Sequence, residues 1–313
     1  MIKHQLHLQV RPPHMEDIQA VYDLIAASDI AEYGEPDVDK AELEREWLDV
    51  NLERDAWLLY AEPNELRGYG IVFDDIHGEF GFDYYFKPGE TARFANARLI
   101  ELCEERIREL SRMHPMAENP KSAQIYMPAV NPIGCESLAA AGYTPHHYVF
   151  RMEIIMADSP PAPAWPHDVL LRTVDAAHDA RAVYDFVRTA FDWRGQMSWP
   201  PFSQWRSRMI ESPNFDASLW FLLFHKGNLI GSALCYDYEQ HGWVRQLAVA
   251  KAWRRQGLGA QLLQHAFHTF YQRGHRRVAL GVEAENANAY AFYERIGMRR
   301  VREFVAYRKE IED

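Results

Sequence analysis

Four prolines, Pro160, Pro161, Pro163 and Pro166, stand within residues 157–168 of this 313-residue chain. Proline lacks the backbone N–H that a helix interior or a central strand needs, and its ring fixes φ. No regular element is expected to run through the middle of the chain, and the segment reads as a semi-rigid linker. The expected division is residues 1–157, a linker of 158–168, and residues 169–313. Each half approaches the roughly 150 residues of a typical domain and is long enough to bury a core without disulfides.

The halves read as copies of one another. Asp17-Ile18-Gln19-Ala20-Val21-Tyr22-Asp23-Leu24 matches Asp179-Ala180-Arg181-Ala182-Val183-Tyr184-Asp185-Phe186, and a short strand-like segment precedes each. At the other end, Gly142-Tyr143 leads to a strand closing on Arg151-Met152-Glu153-Ile154. Gly297-Met298 leads to one closing on Arg308-Lys309-Glu310-Ile311. Matches at both ends with similar spacing indicate duplication. In the second half the patterns predict strands near 169–174, 218–225, 229–238, 243–250, 276–283 and 300–310. Helices fall near 177–191, 202–212, 257–274 and 287–296, and the first half repeats the order. Strands and helices mixed in this way give an α/β (α+β) domain with a mixed sheet.

Composition excludes several classes. The formal net charge of −11 is the wrong sign for a general nucleic-acid binder. The longest apolar run, residues 218–224, is too short to cross a bilayer, and the first residues lack the apolar core of a signal peptide. Cys103, Cys135 and Cys235 are far apart, with no CxxC pair, so a disulfide framework or zinc ribbon is not expected. The 14 histidines form no ligand motif, so no metal is expected. A cytoplasmic protein with reduced thiols, no nucleic-acid or membrane partner, and a monomeric or homodimeric state fits these features. The charge is uneven: residues 1–157 hold 14 Lys+Arg and 28 Asp+Glu, residues 158–313 hold 20 and 17.

The most informative segment is residues 244–259, a strand followed by a basic turn, two glycines and a helix. Its helix carries Leu258, Leu262, Leu263, Ala266, Phe267 and Phe270 as one apolar stripe. Glycines let the backbone approach a ligand. The free N–H groups and dipole of a helix N-terminus attract phosphate, and Arg254 and Arg255 add charge. No Gly-Lys-Ser/Thr follows, so this is not a Walker loop, and its depth in the domain excludes a dinucleotide fingerprint.

Arg254-Arg255-Gln256-Gly257-Leu258-Gly259 resembles the (Gln/Arg)-x-x-Gly-x-(Gly/Ala) acetyl-CoA signature of the GCN5-related N-acetyltransferases. Residues 286–298, Asn286 to Met298, resemble that family's second block, Asn-x-x-Ala-x-x-(Leu/Phe)-Tyr-x-x-x-Gly-(Phe/Met). The resemblance covers the second half by motif and the first by order of elements. It implies two tandem domains, each a mixed, mostly antiparallel twisted sheet flanked by helices. It implies acetyl-CoA as co-substrate, its pantetheine arm on the backbone of Leu247, Ala248 and Val249, whose side chains are then expected to be core. The pyrophosphate is expected on Arg255, Gln256, Gly257, Leu258, Gly259 and Ala260, with Arg254 adding charge. Asn286 is carried over as a polar cofactor contact, and also suits a helix N-cap.

Tyr293 is expected to donate a proton to the leaving thiolate, with Phe292 beside it structural. Many members carry a glutamate on the strand before the phosphate turn; here that position is Trp243. Glu239, His241 and Glu283 are the nearby candidates for a base, with Glu283 and Glu239 ranked first and a water chain as the alternative. The aromatic segment 191–205, with Asp192 among its polar groups, is expected to wall the acceptor site. In the first half Gly-x-Gly is absent, Glu90 stands where phosphates would come, and residues 131–138 have no counterpart of Tyr293. That half is expected to support the fold and wall the acceptor site without binding acetyl-CoA productively. The expected activity is acetyl transfer to a primary amine of a small molecule or peptide by direct attack. A non-catalytic acyl-CoA-binding protein and transfer of a larger acyl group are the alternatives.

Overall fold

The computed structural model describes residues 8–61, 65–73, 79–89, 92–113, 121–191, 199–212 and 214–311. In chain order the elements are β1 (Leu8–Arg11), α1 (Ile18–Tyr33), α2 (Lys40–Asp49), α3 (Leu52–Asp55), β2 (Ala56–Ala61), β3 (Glu65–Phe73), β4 (Glu79–Phe86) and α4 (Ala92–Met113). Then come β5 (Ser122–Pro128), α5 (Pro132–Ala140), β6 (Thr144–Ile155), β7 (Val169–Thr173), α6 (Ala176–Phe191), α7 (Phe202–Met209) and β8 (Trp220–His225). The last are β9 (Asn228–Asp237), β10 (Gly242–Val249), α8 (Leu258–Gln272), β11 (Arg277–Glu283), α9 (Ala287–Arg295) and β12 (Arg299–Glu310). Their order follows the repeat seen in the sequence, and the Pro-rich segment carries no helix or strand.

Two compact units form: Met1–Phe150 with Glu283–Glu285 and Arg302–Asp313, and Arg151–Val282 with Asn286–Val301. This differs from a division at the prolines. Most of the chain's last strand, β12, completes the first unit's sheet, pairing antiparallel with β5 from Phe304↔Pro128 to Glu310↔Ser122. The end of β6, from Arg151, belongs to the second unit, where Met156 N–H donates to the Arg276 carbonyl at 2.8 Å. The two repeats end in strands of equal length, 12 residues each, so each final strand can complete the other copy's sheet.

The first unit's sheet has the order β1-β2-β3-β4-β5-β12, with β4 and β5 parallel. On one face α4 buries Leu99, Cys103 and Ile107. It comes so close to β3 that a Cβ at Gly68 or Gly70 would lie 2.9 or 3.0 Å from the Leu99 methyls. On the other face α1 and α2 bring Val21, Leu24, Ile25, Leu43 and Trp47 against Leu58, Tyr69 and Ile71. Adjacent Leu58 and Leu59 fall in different core clusters, the alternation of a strand buried on both faces.

The second unit's sheet has the order β6-β11-β10-β9-β8-β7. The expected stripe of α8, Leu258, Leu262, Leu263, Ala266, Phe267 and Phe270, is the set of residues that this helix buries. On another face α6 and α7 pack Val183, Tyr184, Val187 and Trp205 against Trp220, Leu222, Leu234 and Tyr236. The duplication shows in side-chain detail. Arg11 makes a two-pronged bond to Asp17 at 2.7 and 2.6 Å; Arg172 does the same to Asp179 at 2.5 and 2.8 Å. Each pair ties the first strand of its repeat to the start of the following helix.

Candidate active site

The second unit contains a pair of parallel strands that part. β10 and β11 pair only at Gly242↔Val278 and Trp243↔Ala279. Beyond Trp243 the β10–β9 register shifts between Val244 and Gln246, so Arg245 is an extra, exposed residue. A bulge bends its strand and increases its twist, which accounts for the separation immediately after the last β10–β11 pair. β10 stays paired to β9 through Leu247, Ala248 and Val249, on one edge only. The other edge of these three residues carries backbone groups able to receive an extended ligand arm, as an added strand would. Ala248 is buried, whereas Leu247 and Val249 are half-buried, so the expectation of three core side chains holds for Ala248 alone.

The turn after β10 is built for its shape. A short 3-10 turn, Lys251–Trp253, precedes Arg255 at φ 62° and Gly257 at φ 85°, both left-handed. Gly257 is the N-cap of α8 and supplies no side chain to the helix end. The first intrahelical bond runs from Gln261 N–H to the Gly257 carbonyl at 3.1 Å. The N–H groups of Leu258, Gly259 and Ala260 therefore precede the ladder, as at any helix start. A Cβ on Gly257 would meet nothing within 4 Å, so the space in front of the helix is open. One on Gly259 would lie 3.5 Å from the Phe292 ring and 3.6 Å from a Val249 methyl, an ordinary contact. Gly259 thus brings together the ends of β10, α8 and α9. An uncapped helix start facing open space, rimmed by exposed Arg255, fits a pyrophosphate.

Arg254 does something the sequence did not indicate. Its Nε donates to the Val249 carbonyl at 2.9 Å and its guanidinium also reaches the Ala190 carbonyl at 3.2 Å, tying the turn to the end of α6. Gln256 Nε2 donates to the Ala252 carbonyl at 3.1 Å, so it too holds the turn. No sequence signal marks these roles, because each depends on where a backbone carbonyl points.

Asn286 is the N-cap of α9; its Oδ1 accepts from Ala289 N–H at 3.2 Å. Asn131 caps α5 in the same way, accepting from Gly134 N–H at 2.8 Å, which marks the two as repeat equivalents. Tyr293 is half-exposed at its surface yet closely surrounded by protein, and burial pushes its phenol up to about 12. It therefore stays protonated at neutral pH. Its ring lies 5.2 Å from that of Phe292. Phe292 is half-buried against the Gly259 turn rather than enclosed in the core.

The other expected residues are dispersed. Glu239 is exposed in the hairpin between β9 and β10, before the paired end of β10. Glu283 ends β11 and groups with the first unit. His241 is buried, with Arg151 at 3.1 Å from its Nε2, and the Arg151 guanidinium lies over the Trp243 ring at 5.6 Å. Arg151 also pairs with Glu153 at 2.9 Å, both buried, so Trp243 takes part in a polar cluster. Cys235 is fully buried and burial raises its thiol, the opposite of an activated nucleophile.

Asp192 and the stretch 192–198 of the aromatic segment lie outside the described residues, as does Glu90. In the described part of that segment Trp205 is core, with Phe191, Trp199 and Phe202 half-buried against the same cluster and Pro201 and Ser203 exposed. Trp205 is buried, stacks with Phe202 and meets Tyr184 and Trp220, while the Tyr184 hydroxyl donates to the Pro200 carbonyl at 2.7 Å.

Comparison with known proteins agrees with this geometry. The Acetyltransferase (GNAT) family profile matches residues 180–298, which include both motifs. A crystal structure of a GCN5-related N-acetyltransferase from Sphaerobacter thermophilus superposes with a TM-score of 0.85 and 31% identity, over 98% of this chain and 96% of that one. The chain belongs to the GCN5-related N-acetyltransferase family. The mycothiol acetyltransferase of Catenulispora acidiphila is 24% identical over 93% of this chain and 95% of its own length. A tandem GNAT protein from the clavulanic acid biosynthesis pathway shares the fold, with a TM-score of 0.73 and 17% identity over 98% of this chain and 99% of that one. The chain is thus an acyltransferase of tandem GNAT architecture. Among the described residues no helix is long and apolar enough to cross a membrane, and no group of three His, Cys, Asp or Glu could hold a metal.

Proposed function

We propose that the second unit transfers an acetyl group from acetyl-CoA to a primary amine by direct attack. The observation that carries this is the parting of β10 from β11 after Trp243 and Ala279, with the open start of α8 beyond it. Bound acetyl-CoA supplies the activated acyl group and a thiolate leaving group. The N–H groups of Leu258, Gly259 and Ala260, with Arg255, hold the pyrophosphate. Backbone groups of Leu247, Ala248 and Val249 hold the arm, and Asn286 fixes the start of α9 so that Tyr293 keeps its place. Tyr293, protonated at neutral pH, gives its proton to the departing sulfur. With Trp243 where many members carry a carboxylate, the incoming ammonium loses its proton through water. Glu239 and Glu283 are the carboxylates to compare, by Glu239→Gln and Glu283→Gln.

Trp243 at that position is also what a non-catalytic acyl-CoA-binding protein could carry, so the test is turnover itself. Release of free CoA is measured over a panel of small amines, aminosugars, amino acids and peptides. Saturable release with at least one amine supports the proposal. Tight acetyl-CoA binding without release over the panel contradicts it and favours the binding reading. The Catenulispora relative is named a mycothiol acetyltransferase, which makes mycothiol-type amines the first acceptors to try.

A further inference from the structure

We propose that the first unit contains a binding site of its own for a small organic cation, a primary amine bearing one or two ammonium groups. β4 and β5 pair at Glu79↔Ser122, Phe80↔Ala123 and Gly81↔Gln124 and then part. A cavity of about 240 Å³ lies among the parted strands, α1 and α2. That is smaller than the roughly 300–1,000 Å³ of sites for drug-sized ligands. The space suits a short amine, not a nucleotide cofactor.

Its walls are acidic. Asp29, Glu32, Glu46 and Asp83 line it, and its one lining arginine, Arg302, is already paired with Asp37 at 2.9 Å and lies over the Tyr33 ring at 4.4 Å. Asp29 accepts from the N–H groups of Asp37 and Val38, and Glu32 accepts from Asn131 Nδ2 at 2.7 Å. Asp83 and Glu46 differ. Both are half-buried at their surfaces yet closely surrounded by protein and line the cavity, and neither has a hydrogen bond or ion pair among the described residues. A buried carboxylate without a partner is unfavourable and calls for a cation or a proton. Burial does raise both carboxyls, Asp83 to about 6 and Glu46 to about 8.

Aromatic rings complete the site. Tyr69 and Tyr85, stacked at 6.4 Å, and Tyr33 also line the cavity. Ring faces beside carboxylates recognise organic ammonium groups through cation–π attraction and charge together. Among the described residues no three acidic, His or Cys side chains converge as metal ligands, which favours an organic cation over a metal ion. The repeat that lacks the phosphate turn has thus kept the parted strands and surrounded the gap with negative charge.

The test is a calorimetric titration of the full-length protein with 1,4-diaminobutane and 1-aminobutane at low salt, with butane-1,4-diol as the neutral control and MgCl2 as the metal control. The proposal expects saturable binding of an amine, none of the diol, and at least tenfold weaker binding in both Asp83→Asn and Glu46→Gln. These variants keep side-chain shape and remove a carboxyl that has no partner, so each should melt no lower than the parent. Acetyl-CoA binding should stay unchanged in both variants, which separates this site from the acyl-transfer reading. No saturable amine binding, undiminished binding in Asp83→Asn, or equal binding of Mg2+ overturns the proposal.

Discussion

The Arg254 guanidinium donates to the carbonyl oxygen of Val249, five residues back, at 2.9 Å. Val249 ends β10, and Arg254 leads into the left-handed Arg255 and Gly257, so this bond closes the turn proposed to hold the pyrophosphate. The second bond, to the Ala190 carbonyl, holds the closed turn against α6. Arg254→Ala should raise the KM for acetyl-CoA about tenfold, from charge-assisted bonds worth roughly 1.5–3 kcal/mol, with kcat changed much less. Arg254→Lys keeps the charge and loses the two-directional tie. Steady-state kinetics in which lysine fully restores KM would show that charge, not closure, is the contribution.

Tyr293 should behave as a proton donor that titrates late. With its phenol raised to about 12 by burial, activity should show no alkaline loss from this group below about pH 10. Tyr293→Phe should lower kcat by about 10²–10⁴ while acetyl-CoA affinity stays within about threefold. Turnover unchanged in the phenylalanine variant would remove the assignment.

Two glycines make opposite predictions. A Cβ on Gly242 would lie 2.4–2.5 Å from the Phe270 ring, so Gly242→Ala must displace that ring or the helix α8 that carries it. Overpacking of this kind costs about 1–3 kcal/mol, read as a lower melting temperature. Gly257→Ala has open space around it but a φ of 85°. Its cost, about 1–2 kcal/mol, falls on the turn itself, so it should raise the KM for acetyl-CoA more than it lowers stability. Equal melting of the parent and Gly242→Ala would mean that α8 is not seated as described.

Stability should depend on pH through the first unit. Glu32, Glu46 and Asp83 all have carboxyls raised by burial, to about 7, about 8 and about 6. Between about pH 4.5 and 8 the folded state then binds more protons than the unfolded one, so stability is fullest near pH 4.5 and declines as pH rises. Glu46→Gln should flatten this decline and raise the melting temperature at pH 8 by a few degrees, with little change at pH 4.5. Thermal denaturation at both pH values checks this; a decline of the same slope in Glu46→Gln would contradict it.

Much of this was legible in the sequence, for identifiable reasons. The α8 stripe, the two asparagine caps and the repeated Arg–Asp pairs arise from local spacing, which a sequence displays. The membership of the last strands was not legible, because β6 and β12 have the same length and either can satisfy either sheet. In the sequence Arg254 reads as free charge, since nothing in its identity reveals which carbonyl it meets. The segment 191–205 reads as an acceptor wall in the sequence, while its Trp205 packs as core against Trp220. The acidic cavity showed only as the charge imbalance of the first half. Asp29 and Glu32 on α1, Glu46 on α2 and Asp83 on β4 converge only once the fold is formed.

One cradle, formed by β10, the Gly257 turn and α8, is proposed to hold acetyl-CoA. Calorimetric titration of acetyl-CoA into the full chain tests it most directly when repeated with Gly257→Asp, which sets a carboxylate before the start of α8. One site per chain is expected in the parent and none in the variant, with 1,4-diaminobutane binding retained. Two sites per chain, or undiminished affinity in Gly257→Asp, would contradict it.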